Sequence, residues 1–144
     1  MHLDFPESQQ WGQAGIEEPT IHQLAEELEQ HVAGVDAVYA PAGIGNSEHE
    51  LVRNGVLAVR PDATLYADLP YALLPDRGGF ALPSQIGATG RQRSDLDLDA
   101  ATAAEKVEAS RCYESQLRQL IAVFGAFLTV EALGHEVFWD RKPV

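Results

Sequence analysis

The chain has 144 residues, 45% of them hydrophobic, with 22 Asp and Glu against 10 Lys and Arg and a formal net charge of −12. This is the size of one ordinary domain, with enough apolar content to bury a core, so disorder is excluded as the default. The acidic residues run along the whole chain, which argues against nucleic acid, bound through clustered Lys and Arg, and against docking on an anionic membrane.

Residues 1 to 18 are polar and lack a sustained period, and they read as an N-terminal arm or loop ahead of a single α/β domain over 19 to 144. Met1 to Gly15 has neither a basic n-region nor an apolar h-region, and no apolar run is long enough for a membrane span. Thr20 and Gln23 have capping-box spacing, and Ile21, Leu24, Ala25, Leu28 and Val32 follow at helical intervals up to Gly34.

Val35 to Ala40 predicts a short buried strand, followed by the turn PAGIG. Ser47 and Glu50 predict a second capping box, with a helix behind it whose apolar side is Leu51, Val52, Val56, Leu57 and Ala58. Thr64 to Leu69 is the next strand, and the strand, helix, strand order predicts a parallel pair. Pro70 to Arg93 reads as a long irregular connection with one short hairpin near Gly78 to Leu82. Ala100 to Phe124 predicts one long helix with Val107, Leu117, Leu120, Ile121 and Phe124 on a broad face, and Glu136 to Trp139 a final strand. Cys112 lies inside that helix without a CxxC partner, so inert core packing and a reducing, cytoplasmic setting are expected.

The chemistry centres on His49. As the second residue of a helix that follows a strand and a glycine turn, it falls in the crevice at the carboxyl ends of the strands, where ligands bind in open α/β sheets. The positive end of the helix dipole disfavours imidazolium there, so a neutral, ligand-competent ring is expected. The bland alternative is an ordinary, partly exposed histidine in a first helical turn. His22 and His31 are spaced to opposite sides of one helix, His135 sits in what reads as a turn, and His2 with Asp4 has no strand before it. All four are expected to be surface histidines, which leaves His49 short of the three protein ligands a zinc site needs. Gly43, Gly45 and Asn46 form a turn without the lysine of a phosphate-binding P-loop.

PAGIGNSEHELVR at 41 to 53, LYADLPYAL at 65 to 73 and RCYESQL at 111 to 117 resemble, in order, the C-terminal half of PIG-L/LmbE-type zinc-dependent N-deacetylases, the group that includes GlcNAc-PI de-N-acetylase. The resemblance implies a partial Rossmann-like, mostly parallel sheet with flanking helices. It also implies that the family's N-terminal βα unit is missing from these residues. The family motif His-Pro-Asp-His maps onto Asn46, Ser47, Glu48 and His49, so His49 takes the zinc-ligand position and Asn46 replaces the family's catalytic histidine. Tyr66, Asp68 and Tyr71 fall in the segment that lines the family's approach to the active site, with a structural role at the strand end as the alternative. Tyr113, Ser115 and Gln116 are assigned to packing and to holding the loop.

The implied substrate is an N-acetylated sugar or glycoside and the implied cofactor zinc. Yet the sequence contains no Ala-His-Pro-Asp-Asp-Glu segment, which in the family supplies two further ligands and the general base. Without the base alone, hydrolysis would fall by about 10² to 10⁴. The expectation is therefore an incomplete deacetylase or a non-catalytic relic, in a homo- or hetero-oligomer that covers the sheet edge the missing unit would leave open.

Overall fold

The computed structural model describes residues 19–77, 79–87 and 90–142, an α/β fold with one mixed four-stranded sheet and flanking helices. The expected arm at 1 to 18 lies outside the described residues.

Helix α1 (Ile21–Val32) begins at the predicted capping box: the Thr20 hydroxyl accepts from the Gln23 amide at 3.2 Å, and the Gln23 side chain accepts from the Thr20 amide at 2.8 Å. Its Leu24, Ala25, Leu28 and Val32 form the buried stripe. Strand β1 (Tyr39–Pro41) is shorter than predicted, because Val35 to Ala37 are exposed and only Ala40 and Pro41 of the strand are buried. Pro41 cannot donate to a ladder, and β1 stands at the sheet edge where that loss is tolerated.

Helix α2 (Ser47–Val59) leads to β2 (Thr64–Tyr66), which pairs parallel with β1 in the register Tyr39 to Thr64 and Pro41 to Tyr66. Helices α1 and α2 pack closely at Gly55, where a Cβ would stand 2.7 Å from Leu24 Cδ2. Two 3₁₀ turns (Tyr71–Leu73 and Pro75–Arg77) and the short helix α3 (Ser84–Gly87) follow. The hairpin expected over 78 to 82 is not there: Gly79 to Leu82 carries no strand, and Gly78 is outside the described residues.

Strand β3 (Arg91–Asp97) was not predicted, and with β4 (His135–Arg141) it changes the sheet. The order is β1-β2-β4-β3; only β1 and β2 are parallel, while β4 runs antiparallel to both β2 and β3. The expected mostly parallel sheet is thus corrected to a mixed one. The physical reason is that Arg91–Asp97 is an almost wholly exposed polar strand, an edge that charge protects from further pairing and that carries no apolar alternation to reveal it.

The helix expected over 100 to 124 is two helices, α4 (Ala100–Arg111) and α5 (Glu114–Phe124), with the Cys112 amide turned back to the Ala109 and Ser110 carbonyls at the break. Val107 is buried in α4 and Leu117 packs from α5. The break brings both onto a small cluster with Phe127 and with Leu133 of α6 (Val130–Leu133). Cys112 is exposed, which corrects the expectation that it packs in the core. The main core holds Leu24, Leu28, Ile44, Val56, Leu65, Val137 and Trp139, between the first two helices and the sheet.

Candidate functional site

The two parallel strands end side by side, and the chain leaving each makes one half of the site. After β1, Gly43 and Gly45 take positive φ (75° and 64°) and turn the chain into α2. A side chain at Gly43 would meet Arg53 Nη1 at 2.7 Å and Glu50 Cγ at 2.9 Å, so the turn needs glycine for space as well as for conformation.

The cap of α2 is Asn46: its Oδ1 accepts from the Glu48 amide at 2.9 Å and the His49 amide at 3.2 Å. The predicted box at Ser47 and Glu50 does not form, and the Glu50 amide donates to the Asn46 carbonyl at 3.0 Å. Asn and Ser cap about equally well, and the positive-φ turn presents Asn46 first. His49 is consequently the third residue of α2, one place later than expected.

After β2, Asp68 is buried at 1% exposure and spans both halves. Its Oδ2 accepts from the Ile44 amide at 2.9 Å, and its Oδ1 lies 2.6 Å from His49 Nδ1. A carboxylate only accepts, so His49 donates from Nδ1 and, in the neutral ring, keeps a lone pair on Nε2. The imidazole side chain is 36% exposed, and Nε2 has no protein partner among the described residues. Carboxylate-oriented histidine is the arrangement that fixes tautomer and ring direction in metal ligands.

His49, Asn46 and Tyr71 line a cleft of about 530 Å3, walled on the far side by Tyr113, Gln116 and Leu120. That size suits a small organic ligand, since such pockets run to about 300–1,000 Å3. The Tyr71 ring meets the His49 ring edge-on at 5.5 Å and Phe124 at 5.0 Å, so an aromatic chain braces the imidazole against α5.

Of the residues placed on the substrate approach, Tyr71 lines this cleft, Asp68 is buried behind His49, and Tyr66 is half-buried in β2 and not part of the lining. Burial pushes the Tyr66 phenol above its ordinary value, with Asp68, Glu136 and Tyr113 adding to it. Tyr113 and Gln116, assigned to packing, line the cleft instead, and Ser115 is exposed.

His22 and His31 are exposed on α1 beside Glu26 and Glu27. His135 opens β4, which corrects its reading as a turn residue; its ring nitrogens face Asp97 at 2.7 Å and Asp95 at 3.2 Å across the strand pair. His2 and Asp4 are outside the described residues.

Sequence reasoning passed over Arg53, which is 4% exposed with Nη1 donating to the Ala42 carbonyl at 2.7 Å. Burial lowers its pKa, and Glu50 and Asp68 oppose the shift. Its place three residues before Val56 on the buried side was the available signal. Comparison with protein-family models, characterised proteins and solved structures finds no match to the chain.

Proposed function

We propose that this chain is the C-terminal part of a Rossmann-like, PIG-L/LmbE-type zinc-dependent N-deacetylase. It acts in the cytoplasm on an N-acetylated sugar or glycoside, and is inactive until the strand carrying His-Pro-Asp-Asp is supplied from outside these residues. The observation that supports this reading is the His49 and Asp68 pair at the carboxyl ends of two parallel strands, with Nε2 on a cleft.

His49 fits the part of one zinc ligand, with Asp68 as the group that orients it. The remaining ligands do not fit: among the described residues no group of three His, Cys, Asp or Glu is set to hold a metal. Metal-assisted attack of water is therefore not assembled among the described residues. What it contributes is an oriented imidazole, and a cleft whose Tyr71 and Tyr113 rings can stack on a sugar while Gln116 and Glu48 offer hydrogen bonds.

The test is complementation. The purified chain is mixed with a polypeptide bearing a His-Pro-Asp-Asp strand and with zinc, and acetate release from N-acetylglucosamine is measured. Release that is lost on His49→Ala supports the reading, and no release with any such partner contradicts it. A second reading, a non-catalytic relic that binds a sugar or a partner, is favoured by Asn46, whose side-chain oxygen is committed to capping where the family has a catalytic histidine. It predicts silence in the same assay.

A further inference from the structure

A second cleft, of about 340 Å3, lies toward the amino end of β2, away from His49, and brings Arg53 of α2 together with Arg91 of β3 and Arg141 of β4. These arginines are far apart in a chain of net charge −12, yet the fold gathers three of its 10 basic side chains around one hollow.

None of the three has a carboxylate in hydrogen-bonding range among the described residues. Arg53 is buried, and its hydrogen bonds go to neutral acceptors, Asn54 Oδ1 at 3.1 Å and the Ala42 carbonyl at 2.7 Å. Arg91 is held by three carbonyls: Nη1 donates to Ala63 at 2.6 Å and Trp139 at 3.0 Å, and Nη2 to Pro61 at 3.2 Å. Burial lowers the Arg91 pKa and the Arg141 charge adds to that, against the pull of Asp140 and Asp62. These acids act on the cluster only through space, Asp62 on Arg141 as well as Arg91: Asp62 hydrogen-bonds Arg60 at 3.0 Å, and Asp140 accepts from the Thr64 hydroxyl at 2.6 Å.

Three cations crowded together, with their acidic neighbours outside hydrogen-bonding range, repel one another, and an anion bound directly between them would relieve the cost. Arginine forks match phosphate oxygens two at a time, and carbonyls already hold Arg91 in place, so little ordering is required on binding. Leu57, Pro61 and Ile86 supply an apolar wall beside the charges.

We propose that this cleft binds a phosphate group, inorganic or carried by a small phosphomonoester, between Arg53, Arg91 and Arg141. The ester's organic part would lie on Leu57, Pro61 and Ile86.

The full chain is titrated with inorganic phosphate and, separately, with phenyl phosphate, at ionic strength held constant with sodium chloride, by calorimetry and by thermal unfolding. Saturable binding at one site and a rise in Tm with ligand concentration are expected. Arg141 is exposed, and its side chain interacts with Asp62 and Arg91 only through space, with no side-chain hydrogen bond among the described residues. Arg141→Gln should therefore fold as the parent does and weaken phosphate binding roughly 10-fold. Arg53→Met should act in the same direction; because Arg53 also holds the Ala42 carbonyl, Arg141→Gln carries the test if that variant does not fold. Phenyl phosphate binding more tightly than inorganic phosphate assigns an ester to the cleft, and the reverse order assigns free phosphate. A Tm response no larger than that of chloride, or undiminished binding by Arg141→Gln, would overturn the proposal.

Discussion

Asp68 joins the halves of the site, and replacing it separates its two roles. In Asp68→Ala the Ile44 amide loses its acceptor inside the core, at a cost of about 1–3 kcal/mol. The bond to His49 is lost as well, and with that ring partly exposed its contribution lies near the lower end of the range for charged partners, about 1.5 kcal/mol. The sum is about 2.5–4.5 kcal/mol, a large share of the roughly 5–15 kcal/mol that holds a domain together. Asp68→Asn differs. Its oxygen can still accept from Ile44, so the loss is about 1–2 kcal/mol, while its amide group donates toward Nδ1 and moves the ring proton to Nε2. Urea unfolding followed by tryptophan fluorescence reads the energies, since Trp139 is buried at 4% exposure. Nitrogen-15 shifts of His49 read the tautomer. An Asp68→Ala protein within about 0.5 kcal/mol of the parent, or an unchanged tautomer in Asp68→Asn, would refute the reasoning.

Gly43→Ala adds a Cβ at positive φ and against Arg53 and Glu50, and should cost about 2–4 kcal/mol. Gly34→Ala, at similar φ with nothing within 4 Å, should cost only about 1–2 kcal/mol; equal losses in urea unfolding would remove the steric component. Asp99, Asp62 and Asp95 are held below the ordinary carboxyl range, chiefly by the Thr102 amide, Arg60 and Arg93 respectively. Their folded pKa values are depressed, so the stability they contribute is full above the unfolded aspartate value of about 3.9 and is lost as pH falls through the folded values. Asp99→Ala should therefore be less stable than the parent near neutrality and converge on it in acid, and a gap that persists to about pH 2 would contradict this. β1 ends the sheet among the described residues, so pairing along it predicts a dimer or a mixed assembly. Light scattering that gives a monomer at micromolar concentration would count against that.

Local signals made the first half of the fold legible. Thr20 with Gln23, the apolar stripe from Leu24 to Val32, and the strand, helix, strand unit from β1 to β2 each follow from spacing along one segment. The same signals put His49 at the start of a helix beyond a strand end. They do not record pairings set by tertiary register: Asp68 meets His49 only because β1 and β2 lie side by side. β3 escaped notice because RQRSDLD carries no alternation, and with it went the mixed character of the sheet. The Arg91 and Arg141 pair across β3 and β4 was hidden for the same reason. At Cys112 a sustained apolar period suggested one helix, whereas the chain breaks there, the Cys112 amide turning back to the Ala109 and Ser110 carbonyls.

Zinc titration of the nitrogen-15 labelled chain, with all 5 histidines resolved, tests most directly whether His49 is a presented metal ligand. The expected result is a zinc-dependent shift of His49 Nε2 ahead of any other imidazole, with Nδ1 still protonated and bonded to Asp68, and with His49→Ala abolishing that response. Shifts confined to His22, His31 or His135, with His49 unmoved, would contradict it.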